Sequence, residues 1–162
     1  MHLRPAVRTD HDAILALNEA SVHFLSPLDL ARLRALDAEA AWHQVIEREG
    51  EVLGFVLAFR EGAHYDSLNY RWFSERYARF LYIDRVVVSS AARGMGLGRL
   101  LYGGVFAYAQ QHQIPWVACE YDIDPPNPAS ARFHTAFGFS EVGRQAVADG
   151  KKRVSLQAAK IA

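Results

Sequence analysis

Arg93-Gly94-Met95-Gly96-Leu97-Gly98 stands where an apolar stretch, Phe80 to Val88, hands over to an amphipathic one, Leu97 to about His112. This passage from strand to helix through closely spaced glycines decides the fold. Glycine accepts left-handed backbone and puts no Cβ between chain and ligand, while the first turn of a helix offers unpaired N–H groups at the positive end of its dipole. The loop is therefore read as a seat for an anion.

Working outward, the helix is followed by a strand from Trp116 to Tyr121, a break at Asp124-Pro125-Pro126, and a helix from about Pro128 to Phe137. This is a βαβα run, and it implies one parallel strand pair. Phe139 to Val147 and Lys152 to Ala159, around Asp149-Gly150, read as a closing hairpin. Upstream, Leu3 to Val7 reads as a first strand, after which Thr9 or Asp10 caps a helix carrying Ile14, Leu17 and Val22. Leu28, Leu30, Leu33 and Leu36 suggest a second helix with Pro27 in its first turn. Ala41 to Glu47 and Val52 to Phe59 form a hairpin about Gly50, and a less regular insertion spans Gly62 to Arg79. The expected class is α/β of the α+β type: a mixed, mostly antiparallel central sheet with a parallel central pair, flanked by helices.

The chain has 162 residues, 51% of them apolar, which suits a single domain over 1–162 with a substantial core. Eighteen basic side chains balance eighteen acidic ones, so no global field draws the protein to nucleic acid or an anionic membrane, and a small-molecule ligand is favoured. Cys119 is the one cysteine and makes no internal disulfide. With neither a signal peptide nor an apolar run of about 18 residues, the expected location is the cytoplasm.

Glycine-rich strings differ by context. A dinucleotide fingerprint needs glycine at position 99, which is Arg99, and a first glycine directly after the strand, where Ser89 to Arg93 intervene. Glu120, at the end of the next strand, does imitate the ribose-binding acid of that fold. A P-loop would close on Gly-Lys-Ser/Thr, which this loop lacks. The pattern that is met is Arg/Gln-x-x-Gly-x-Gly/Ala, by Arg93, Gly96 and Gly98 after Val86-Val87-Val88. Downstream, Asn127-Pro128-Ala129-Ser130-Ala131-Arg132-Phe133-His134 with Phe137-Gly138-Phe139 is similar to Asn-x-x-Ala/Ser-x-x-Phe-Tyr-x-x-x-Gly-Phe. With both motifs in order, the chain resembles the GNAT N-acetyltransferase superfamily, in detail from Phe80 to Phe139 and in element order elsewhere.

That resemblance implies acetyl-CoA as cosubstrate, no metal, and direct attack of a primary amine, of a small molecule or a protein, on the thioester. By the same resemblance, the backbone of Gly94, Met95, Gly96, Leu97, Gly98 and Arg99 holds the diphosphate, with added charge from Arg93 or Arg99. Val86, Val87 and Val88 supply a free strand edge for the pantetheine, with Asn127 and Ser130 beside it. Asn127 also suits a helix N-cap before Pro128.

Such a transfer needs a deprotonated amine, a donor for the developing oxyanion and a proton for the thiolate. Asp84 is the first candidate base, because the strand is apolar on both faces apart from Asp84 and Arg85, which alternation sends to opposite sides. It would share a face with Tyr82, Val86 and Val88. Glu120 is the second candidate, and for both carboxylates a structural salt bridge competes with catalysis. His134 takes the place of the family's acid tyrosine; an imidazole of pKa about 6.5 is charged in roughly a quarter of molecules at pH 7. It is a candidate acid, or else binds acceptor or cofactor, or is a satisfied helix histidine, and Tyr121 is the substitute acid. His134 also keeps open an alternative class, an inactive acyl-CoA-binding sensor or interaction module. A Cys119 nucleophile is disfavoured by its place inside an apolar strand.

In the insertion, Tyr65, Tyr70, Trp72, Phe73 and Tyr77 either cover an acceptor pocket, with Arg71 or Arg76 on a carboxylate, or complete the core or a homodimer contact. His2, His11, His23, His43, His64 and His112 are scattered and show no zinc spacing.

Overall fold

The computed structural model describes residues 1–22 and 25–161. His23 lies outside them. Strand β1 (His2–Pro5) leads through a 3-10 turn (Arg8–Asp10) into helix α1 (His11–Ala20), which helix α2 (Leu30–Glu39) follows. The first strand is thus shorter than expected, and Val22 lies beyond its helix. Asp10 does not cap α1 with its side chain; its carboxylate accepts from both terminal nitrogens of the Arg4 guanidinium, at 2.8 and 2.9 Å, and from the Val7 N–H at 2.8 Å. Pro27 stands ahead of α2 rather than in its first turn. Asp29 opens that helix instead, accepting from the Arg32 N–H at 2.7 Å.

Strands β2 (Trp42–Arg48) and β3 (Glu51–Arg60) form the expected hairpin, and the insertion contains helix α3 (Leu68–Ser74), capped by Ser67. Strand β4 (Leu81–Val88), helix α4 (Leu97–Gln111), strand β5 (Trp116–Asp124) and helix α5 (Pro128–Ala136) follow. Strand β5 runs three residues past the expected Tyr121. Strands β6 (Ser140–Val147) and β7 (Lys152–Lys160) close the chain as a hairpin.

All seven strands share one sheet, in the order β1-β2-β3-β4-β5-β7-β6, and only β4 and β5 run parallel. One face is covered by α4, through Leu97, Leu101, Val105 and Ala109, and by Phe133 of α5 and Phe137 just after it. The other is covered by Ile14, Leu33 and Leu36 of α1 and α2, and by Tyr70 and Phe73 of α3 packed on Phe59, Phe80 and Tyr82. The insertion's aromatics therefore complete the core. Each such fully buried ring stabilises the fold by roughly 1.5–3 kcal/mol.

The decisive departure from simple alternation is in β4. Its register against β3 runs Leu57↔Arg85 and then Ala58↔Ile83, so Asp84 is an extra residue without a partner, a β-bulge. The bulge reverses the parity of everything after it. Leu81 and Ile83 pack on the α4 face, and so do Val86 and Val88, while Tyr82 and Val87 pack on the opposite one. Asp84 therefore does not share a face with Val86 and Val88, and Asp84 and Arg85 do not point apart: Arg85 Nε donates to Asp84 Oδ2 at 2.7 Å.

Gly103 and Gly104 weaken α4 for different reasons. A Cβ on Gly104 would stand 2.5 Å from the Trp42 ring and 2.7 Å from Leu3, so the helix lies on β1 and β2 only because the residue is glycine. Gly103 meets nothing. On the far side, a Cβ on Gly143 of β6 would lie 2.4 Å from the indole of Trp72, which seats α3 on the outer hairpin. Replacing Gly103 with Ala should raise stability by about 0.5–1 kcal/mol through helix propensity, whereas Gly104→Ala should lower it; urea unfolding of the two variants checks both signs.

Candidate active site

Strands β4 and β5 pair only at Leu81↔Val117 and Tyr82↔Ala118. Beyond Tyr82 they part, leaving polar backbone groups of each strand facing a gap. A cleft of about 670 Å³ opens there, lined from the α4 and α5 face by Tyr102, Tyr121, Asn127, Ser130 and His134. From the opposite face it is lined by Arg32, Tyr65, Asn69 and Glu120. Asp84, Arg85 and Val86 line the gap itself.

The glycine loop stands at the end of β4. Gly94 and Gly96 have φ of 82° and 76°, left-handed values that other residues rarely adopt, and Gly96 is the N-cap of α4 without any side-chain cap. Neither glycine has an atom within 4 Å of where a Cβ would stand. The N–H groups of the first turn, from Leu97 on, have no carbonyl four residues back within the helix. Arg93, Met95 and Arg99 are exposed at this end, and Gly98 abuts the Phe133 ring at ordinary van der Waals distance. The set suits a diphosphate: converging backbone donors, a favourable dipole and two guanidinium side chains close by in sequence.

Asn127 caps α5 with its Oδ1, accepting from the Ser130 N–H at 3.3 Å, and lines the cleft as well. One turn on, His134 is buried. Its Nδ1 lies 2.7 Å from the Ser130 carbonyl and its Nε2 2.7 Å from the Tyr102 hydroxyl. A carbonyl only accepts, so Nδ1 carries a proton; burial disfavours a second one, and the neutral imidazole then accepts at Nε2 from the Tyr102 hydroxyl. Burial pushes its pKa down, against the smaller upward effect of the Ser130 bond. Tyr121 tilts against the same ring, centroids 5.3 Å apart. Cys119 faces this side too, fully buried, and burial drives its thiol pKa well up, as suits an inert core residue.

On the other side, Glu120 receives the Tyr82 hydroxyl at 2.6 Å on Oε1 and 3.0 Å on Oε2, and the Asn69 amide at 2.8 Å on Oε1. Burial raises its pKa to about 8, a rise that those two hydrogen bonds oppose and the nearby Asp84 charge assists. Asp84 has a different setting. Besides Arg85 it accepts from the Tyr65 hydroxyl, and Arg85 Nη1 reaches Asn18 Oδ1 at 3.1 Å and the Ser26 carbonyl at 3.2 Å. That network ties the β4 bulge to the segment between α1 and α2 and to the insertion.

Several expected contacts fall elsewhere. Arg76 lies 4.0 Å above the Trp72 ring and donates to the Trp72 carbonyl, and Arg71 is exposed outside the cleft. Besides Arg85, the cleft's cations are instead Arg32, bonded to Asp66 at 3.1 Å, and Lys152, 3.6 Å from Asp122. His11 and His43, distant in sequence, meet at Asp37, at 3.9 and 2.6 Å. Among the described residues no group of three or more His, Cys, Asp or Glu is placed to hold a metal ion, and no helix is long and apolar enough to cross a membrane.

The profile of the acetyltransferase (GNAT) family matches residues 11–139. No curated protein matches the chain significantly. Among solved structures, Ard1 from Thermoplasma volcanium superposes with a TM-score of 0.80 at 16% identity, covering 99% of this chain and 97% of its own. Naa20 from Chaetomium thermophilum, solved with a bisubstrate analogue, gives 0.76 at 20% identity over 99% and 87%. The Salmonella typhimurium protein yncA, solved with its cofactor acetyl-CoA, gives 0.73 at 22% over 100% and 94%. At these identities the likeness is one of fold.

The Asp84–Arg85 pair carries a stability consequence. Removing one member of a buried pair strands the other charge, so Asp84→Ala should cost about 3–5 kcal/mol. The double variant Asp84→Ala/Arg85→Leu should cost less than the sum of its parts, as read from denaturant midpoints at pH 7.

Proposed function

The chain belongs to the acetyltransferase (GNAT) family, and from that premise we propose that residues 1–162 act as one N-acetyltransferase unit moving an acetyl group from acetyl-CoA to a primary amine. The observation that carries this reading is the parting of β4 and β5 beyond Tyr82, with the glycine loop at one mouth and a titratable carboxyl, Glu120, in the gap.

Acetyl-CoA supplies the acetyl group already activated as a thioester. The first-turn N–H groups of α4 and the backbone of Gly94 to Arg99, aided by Arg93 and Arg99, hold its diphosphate. The unpaired edge of β4 at Val86, Val87 and Val88 aligns the pantetheine arm, with Asn127 and Ser130 opposite, and turns a backbone N–H toward the thioester oxygen, where negative charge develops. The amine arrives from the Arg32, Tyr65 and Asn69 side. Glu120 takes its proton, and a base of pKa about 8 is matched to that task near neutral pH.

The departing thiolate has a pKa near the ~8.5 of an alkyl thiol. A proton on Glu120 therefore passes to it with little change in free energy, through water in the cleft, and no strong separate acid is needed. This frees His134 from the role its motif position suggests. Its single N–H is committed to Ser130, and its other nitrogen holds the Tyr102 hydroxyl at the thiol end of the cleft. Tyr121, on the same side, is the second hydroxyl able to serve the thiolate. Asp84 is assigned to structure through Arg85 and Tyr65.

Release of coenzyme A thiol over a panel of amines tests the activity; binding of acetyl-CoA without turnover of any amine would instead favour a sensor. With an active amine, Glu120→Gln should lower kcat/KM by about 10²–10⁴-fold. The pH profile fixes the sign. A base works only when deprotonated, so wild-type kcat/KM should climb with pH and level off above about 8, and this limb should vanish in Glu120→Gln while acetyl-CoA binding persists.

A further inference from the structure

Glu120 is held by a chain of hydrogen bonds that begins outside the cleft. Gln145, on the outer strand β6, donates from Nε2 to Asn69 Oδ1 at 2.7 Å, and Asn69, on α3, donates from Nδ2 to Glu120 Oε1 at 2.8 Å. We propose that Gln145 is a positioning residue for the transfer: by occupying the carbonyl end of the Asn69 amide, it fixes that amide with its donor end toward Glu120. The inference rests on Glu120 as the base.

A carboxamide is a donor at one end and an acceptor at the other, and the two ends are nearly the same shape. Packing alone does not choose between them. Gln145 and the carboxylate make the choice together: a reversed Asn69 amide would aim a carbonyl at the Glu120 carboxylate and would face Gln145 Nε2 donor to donor unless the Gln145 amide reversed as well. A donor at Oε1 favours the ionised carboxylate, and an acceptor there favours the protonated form. The Asn69 bond engages Oε1 only, so Oε2, which has just the longer Tyr82 contact at 3.0 Å, keeps accepting capacity for the amine.

The other groups around Glu120 come from every neighbouring element. Tyr82 of β4 donates to it, and Asp84 of β4 repels its charge while paired with Arg85 and Tyr65. Asp122 of β5 pairs with Lys152 of β7, Arg32 of α2 lines the same cleft, and Cys119, Tyr102 and His134 on the α4 and α5 face are neutral. Burial sets the high proton affinity of Glu120. The relay from Gln145 restrains it.

The test follows the carboxyl directly. The full chain is labelled with [¹³C-carboxyl]glutamate, the Glu120 resonance is assigned by its loss in Glu120→Gln, and its titration is followed by NMR. Gln145→Met keeps the length and removes the donor without adding charge, and it should raise the Glu120 midpoint by about half a unit to one unit. Asn69→Leu should raise it as far or further. In the Asn69→Leu background, Gln145→Met should do nothing more, because the relay is already cut. The acid limb of kcat/KM should move with the NMR midpoint.

A midpoint unmoved by Gln145→Met, or equal effects of that change with and without Asn69, would overturn the inference and leave Gln145 a packing residue. Failure of Glu120 as base would be seen separately, as full activity and an intact limb in Glu120→Gln.

Discussion

One extra residue in β4 is the constraint on which this molecule depends. Asp84 has no partner on β3, and a bulge bends a strand and increases its local twist. Pairing with β5 ends at Tyr82, two positions before it, and the cleft opens from there. The same insertion turns Arg85 beside Asp84 and places the two charges, buried, against Asn18, Ser26 and Tyr65. Desolvating such a pair is costly, and full hydrogen bonding offsets the cost. What the bulge requires electrostatically thus also fastens the walls of the cleft.

Much of the architecture could be read along the chain. Periodicity and turn residues give the order of the strands and of every helix but α3, which lies in the stretch read as irregular, because those signals are local: Gly50 at one hairpin, Asn127-Pro128 at a helix start, left-handed glycines at the loop. Boundaries slipped where a side chain had a tertiary partner, as with Asp10, claimed by Arg4. The facing of Asp84 differs from strict alternation because alternation presumes an unbroken pleat, and nothing in Tyr82-Ile83-Asp84-Arg85-Val86 marks the added residue. Arg71 and Arg76 stand near the site in sequence, whereas Arg32, from a separate helix, stands in the cleft. The places of Asn69, Gln145 and Tyr102 are not legible along the chain for the same reason, since they exist only where three or four elements converge.

The two faces of the split sheet hold different chemistry. Toward α4 and α5 the groups are neutral: a buried imidazole bonded to a buried tyrosine, and a core thiol. Toward α1, α2 and α3 they are ionisable, and the Glu120 carboxyl is partly open to the cleft. A thioester admitted from the first side and an amine from the second would meet at the gap, with proton handling confined to the ionisable side. Histidine in place of tyrosine is compatible with this division, because Tyr102 brings a hydroxyl to the same spot from the neighbouring helix.

The indole of Trp72 rests where any side chain on residue 143 would have to stand. Asn69 is less than one helical turn earlier, so the depth of that aromatic plug gauges how far α3 leans over the sheet. An ångström of lift at the rim would loosen the amide's grip on the carboxylate beneath. Glycine at this distant rim position thereby acts as a spacer of zero thickness, a dimension of the cleft written on its outer wall.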